Sequence, residues 1–127
     1  MKQIIYTKNA PEPVGPYSQA VLAGNTLYCS GQIAIDPSTG ELAKEDITLQ
    51  TNLCLTNIQS VLKAAGMDIT NVVKVSCFLK DMGDFAEFNK VYATYFTDSK
   101  PARSCVAVKE LPKGALVEIE VIALREF

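Results

Sequence analysis

The sequence predicts an α+β fold, a single mixed sheet of six strands with two helices packed together on one of its faces. Two observations carry this. Six short runs have the alternation or β-rich composition of strands, and two longer stretches repeat their apolar residues at helical spacing. Their order is β-β-β-α-β-α-β-β, and two helices covering such a sheet lie most simply side by side on one face. The opposite sheet face is then bare, which calls for a partner surface and predicts an oligomer.

The elements follow in chain order. "QIIY" at 3–6 reads as a short strand, and a loop with Pro11, Pro13 and Pro16 follows it. "SQAVLA" and "TLYCS" flank Gly24-Asn25, a two-residue hairpin signal. "IDPSTGEL" is turn chemistry. From residue 47 to 65, Cys54, Ile58, Val61, Leu62 and Ala65 recur at helical spacing, and Gly66 is placed to stop the helix. "NVVKVSCFLK" is a strand with Val73, Val75, Cys77 and Leu79 on one side. "DFAEFNKVYATYF" is the second helix, with Asp84 and Glu87 spaced as a capping box and a wide stripe from Phe85 to Phe96. "ARSCVAV" and "VEIEVIAL" are the remaining strands, joined around Pro112 and Gly114.

A chain of 127 residues is read as one domain, 1–127, without linker or repeat. Net charge is −2, pI is near 5.1, and no basic stripe is present, which argues against a nucleic-acid partner. No apolar run is long enough for a signal sequence or a membrane span. The four cysteines have neither metal-ligand nor redox spacing, so a cytoplasmic protein with reduced thiols is expected. There is no histidine, so the chain has no Cys–His or Ser–His pair and no histidine general base.

Alternation sorts the strand residues between the two faces. Ala20, Leu22, Leu27 and Cys29 are assigned to the helix side, as are Val117, Ile119 and Val121. Val106 and Val108 are placed there too, leaving Arg103 and Cys105 on the bare face. Gln19 falls opposite Ser30 on that face, and the reading gathers Tyr17, Ser30, Arg103, Cys105 and Glu118 there as a small polar pocket. Taken singly, each has a plainer explanation: a solvated strand glutamate, a surface arginine, an inert small thiol.

Together these residues sit in motifs with a known likeness. "GPYSQ" at 15–19, "SGQI" at 30–33, "PARSCVAV" at 101–108 and "LPKGALVEIEVIA" at 111–123, with "AAG" and "DFAEFN" between them, resemble the RidA branch of the Rid (YjgF-like) reactive-intermediate deaminases. The likeness runs nearly end to end. It implies a chorismate-mutase-like α+β protomer and a homotrimer with ligand clefts between subunits. The implied activity is hydrolysis of 2-iminobutanoate or 2-iminopropanoate, tautomers of the enamines that pyridoxal-phosphate-dependent dehydratases release, to 2-oxo acids and ammonia. It also implies roles for individual residues. Arg103 is the carboxylate anchor, Glu118 the acid–base group, and Tyr17, Ser30, Gly31, Asn89 and Cys105 line the pocket. No metal or cofactor is implied. The alternatives are a non-enzymatic ligand-binding regulator or chaperone-like trimer and, against the acidic pI, an endoribonuclease.

Overall fold

The computed structural model describes residues 1–126. Its strands are β1 (Lys2–Ile5), β2 (Ala20–Ala23), β3 (Thr26–Cys29), β4 (Val72–Leu79), β5 (Ala102–Ala107) and β6 (Val117–Leu124). Its helices are α1 (Ile47–Ala64) and α2 (Phe85–Tyr95). The six strands form one sheet in the order β1-β2-β3-β6-β4-β5, antiparallel throughout except for the parallel β4–β5 pair. The predicted mixed α+β sheet is therefore present. No helix among the described residues is long and apolar enough to cross a membrane.

Local chemistry explains most boundaries. Gly24-Asn25 is the two-residue turn between β2 and β3, with Gly24 at φ 62°. Asp46 caps α1 by accepting from the Leu49 amide at 3.0 Å. At the other end, Gly66 (φ 73°) donates to the Lys63 carbonyl and Met67 to the Leu62 carbonyl, a Schellman arrangement in which glycine relieves the left-handed strain. The expected capping box at α2 is not formed. Asp84 makes no side-chain cap, Glu87 pairs instead with Lys90 at 3.2 Å, and Asp81 accepts from the Gly83 amide in the turn before the helix.

The core lies between the helices and one sheet face, centred on Leu27, Leu55, Ile58, Leu62, Leu79, Phe88, Val117 and Ile119. In β6 the alternation holds: Val117, Ile119, Val121 and Ala123 are buried, and Glu118 and Glu120 point away. Two assignments need correction. A β-bulge between Val72 and Lys74 buries Val72 and turns Val73 out to solvent. In β5 the faces are reversed. Arg103 lies beside Val75 and Cys105 beside Cys77, both on the helix side, and Val106 opens onto the bare face, 49% exposed.

Candidate active site

The reversal in β5 divides the expected pocket into two clusters. The first surrounds Glu118 on the helix-free side of the sheet. Tyr17, Ser30, Gly31 and Glu118 line a cleft of about 540 Å³, together with Glu120 and Lys113. Ser30 follows β3 and is tied to the segment leading into β2: its amide donates to the Gln19 carbonyl at 2.9 Å and its hydroxyl to the Ser18 carbonyl at 2.6 Å. Tyr17 stands half-exposed at the cleft mouth, its hydroxyl 3.4 Å from the Val14 amide that donates to it.

Gly31 is required by close approach. A Cβ there would lie 2.9 Å from the Glu118 carboxyl carbon and 3.1 Å from its Cγ. The backbone of 30–32 is held against β6 by the Gln32–Ile119 bridge, so only a residue without a side chain lets the Glu118 carboxylate lie flat against it. Partial burial pushes the Glu118 pKa up, and the neighbouring Glu120 carboxylate adds to the effect.

The second cluster surrounds Arg103 at the sheet's edge, beneath α2. The guanidinium donates through Nη1 to Asn89 Oδ1 at 2.7 Å. It lies 4.7 Å from the Tyr92 ring centroid and 5.6 Å from that of Phe85. The aromatic faces and the amide hold an otherwise flexible side chain in one orientation. A cavity of about 390 Å³ opens beside it, lined by Asn89, Tyr92, Phe96, Lys100, Pro101 and Arg103. Cys105 is half-buried next to this group. Burial pushes its thiol up, and the Arg103 charge and the adjacent Cys77 thiol only partly offset that, so it is not an activated thiolate.

All seven predicted positions thus fall in one of two groups: Tyr17, Ser30, Gly31 and Glu118 in one, Asn89, Arg103 and Cys105 in the other. The two groups lie on opposite faces of one sheet. Two features were missed. Gln19, assigned to the pocket face, is 2% exposed and points inward to bind the 7–11 segment. Lys113 lines the Glu118 cleft with φ 57°, a left-handed backbone for which the "PKG" turn was the available signal. Among the described residues no three Cys, Asp or Glu side chains are placed to hold a metal ion.

The sequence profile of the family described as endoribonuclease L-PSP matches residues 7–125. A RutC family protein of Pyrococcus horikoshii is 57% identical over 99% of this chain and 100% of its own. A protein of Capra hircus named 2-iminobutanoate/2-iminopropanoate deaminase is 49% identical over 98% of this chain and 91% of its own. The crystal structure of a Rid-family protein of unknown function from Yersinia pestis superposes with a TM-score of 0.96 at 49% identity, covering 98% of this chain and 100% of the other. The chain belongs to the Rid family. The Rid protomer accounts for the sheet order and for both helices lying on one face. Its names divide between a nuclease and a deaminase, so the chemistry has to be argued from the two residue clusters.

Proposed function

We propose that this Rid protein is a 2-imino acid deaminase whose active cleft is completed by two copies of the chain in a homotrimer. One copy supplies Tyr17, Ser30, Gly31 and Glu118, and its neighbour supplies Asn89, Arg103 and Cys105. The observation that carries the reading is the placement of Arg103 and Glu118 on opposite faces of one sheet. Within one chain they cannot address the same small molecule; across two copies they can. The bare face supports assembly, since Ile4, Tyr28 and Val106 stand exposed on it at 61%, 51% and 49%.

The chemistry suits these groups. A 2-imino acid carries a carboxylate beside an electrophilic C=N carbon. Arg103, held by Asn89 and the Tyr92 ring, keeps donors free to grip that carboxylate and fix the carbon. Glu118, its pKa raised by partial burial, takes a proton from the attacking water and returns it to nitrogen as the carbinolamine collapses. Water and iminium thus give a 2-oxo acid and ammonium. The goat relative is named for this reaction. RNA cleavage, which the family description names, fits poorly: in the cleft around Glu118, Glu12, Glu118 and Glu120 outnumber Lys113 and would repel phosphates. Four free cysteines agree with a cytoplasmic setting.

The test couples the protein to a threonine dehydratase and follows 2-oxobutanoate while semicarbazide competes for the imine. Arg103→Ala and Glu118→Gln are each expected to lose nearly all activity. Co-expressed, they are expected to recover about a quarter of wild-type activity, since random mixing restores both native residues to that share of clefts in a three-fold ring. Wild-type activity in Arg103→Ala would overturn the reaction. Two inactive variants whose mixture stayed inactive would overturn the shared cleft.

A further inference from the structure

Cys77 and Cys105 are direct partners across the parallel β4–β5 pair, and both side chains face α2. Neighbouring strands lie about 4.8 Å apart, inside the range of Cα separations that a disulfide spans. Cys77 is buried and Cys105 half-exposed, so a small oxidant meets Cys105 first. Cys29 pairs with Ala20 in the sheet, and Cys54, on α1, approaches Cys77 from the helix layer but is fully buried.

We infer that Cys77 and Cys105 form a peroxide-responsive dithiol in which Cys105 is oxidised and Cys77 resolves it, closing a reversible disulfide between β4 and β5. The site rests on these residues alone and not on the deaminase reading. The Cys105 sulfur attacks the peroxide O–O bond, becoming a sulfenic acid and releasing one water. The Cys77 sulfur then attacks the sulfenic sulfur, and its hydroxyl leaves as a second water. The two thiols lose two electrons and two protons, and the peroxide is reduced to water.

Burial keeps both thiols protonated at neutral pH, so oxidation is slow and calls for millimolar peroxide, and the nearby charge only partly offsets this. Arg103 sits two residues from Cys105 on the same face and supplies positive charge for thiolate and sulfenate. The Tyr92 hydroxyl is buried without a hydrogen-bond partner, and its ring lies 4.7 Å from the guanidinium of Arg103, two residues from Cys105. A sulfenate oxygen would give that donor an acceptor. In-register side chains on parallel strands are spaced more widely than a relaxed disulfide, so closure must draw β5 inward. As an edge strand bonded only to β4, β5 can make that move, and the resulting bond is of the strained, easily reduced kind.

The experiment treats the full-length protein with millimolar hydrogen peroxide in the presence of dimedone, which traps sulfenic acids, and maps the peptides by mass spectrometry. Wild type is expected to give a Cys77–Cys105 cross-linked peptide that dithiothreitol cleaves, with little dimedone on Cys105. Cys77→Ser and Cys77→Ala, each checked for folding by circular dichroism, are expected to carry on the order of tenfold more dimedone on Cys105 than wild type does. Cys105→Ser should leave Cys77 unoxidised. Equal Cys105 labelling in wild type and both Cys77 variants would overturn the inference. So would a Cys105–Cys105 link between chains in place of the internal one.

Discussion

At the scale of single residues, Gly31 and Glu118 form one unit. Adding a methyl group at 31 puts it into the Glu118 carboxylate, and the free end of that side chain yields before the backbone does. Gly31→Ala is therefore expected to reduce kcat/KM by about tenfold or more by misplacing the carboxylate, with little change in melting temperature. In the Glu118→Gln background the same change should cost almost nothing further, which steady-state kinetics on the double variant will show. Glu118 also shapes the pH dependence of stability. Its pKa is raised by partial burial and by Glu120, so the folded chain holds this proton more tightly than the unfolded chain does. Ionising it then costs stability, and the loss sets in as pH rises through the interval between the ordinary glutamate value of about 4.3 and the raised one. Glu118→Gln should have the higher urea midpoint at neutral pH, and the gap should close near about pH 4. Equal midpoints at neutral pH would rule this out.

At the scale of elements, Gln19 ties the start of the chain to the sheet. Its Oε1 accepts from the Thr7 amide at 2.8 Å, and its Nε2 donates to the carbonyls of Thr7, Ala10 and Pro11. The 7–17 segment that carries Pro11, Val14 and Tyr17 into the cleft is held by these bonds. Gln19→Ala is expected to lower stability by about 2–4 kcal/mol in guanidinium titrations, because the carbonyls at 10 and 11 lose their buried donor. Gln19→Glu should be at least as damaging, since it sets a carboxylate against three carbonyl oxygens. Nothing in the local pattern separated Gln19 from a solvent-facing strand residue, because its partners lie in a loop that has no periodicity. The hairpin, α1 with its Gly66 stop, and the faces of β6 were legible, since glycine turns and strict alternation are local signals. β5 was not. Alternation identifies the inner face only when the outer face is polar. Here the inner face carries an arginine laid on aromatic rings, and the outer face carries a valine.

At the scale of the whole molecule, the residues singled out from the sequence were expected in one pocket, whereas the sheet divides them between its two faces. The family motifs marked the positions, but which face each one takes is decided by the strand pairing of β4, β5 and β6. That pairing has a second effect. β6 follows every other strand in the chain, yet it lies in the middle of the sheet, between β3 and β4. It contributes Val117, Ile119, Val121 and Ala123 to the core. A chain ending at residue 116 is expected to be unfolded, with no cooperative thermal transition by circular dichroism; a native-like melt would refute this. On the ribosome, then, the β1–β3 meander and the β4-α2-β5 unit emerge first as two half-sheets with no seam to join them. Each presents an unpaired edge to the other until the final strand is released and zips between them. Nascent chains stalled before that point should be the species that chaperones hold.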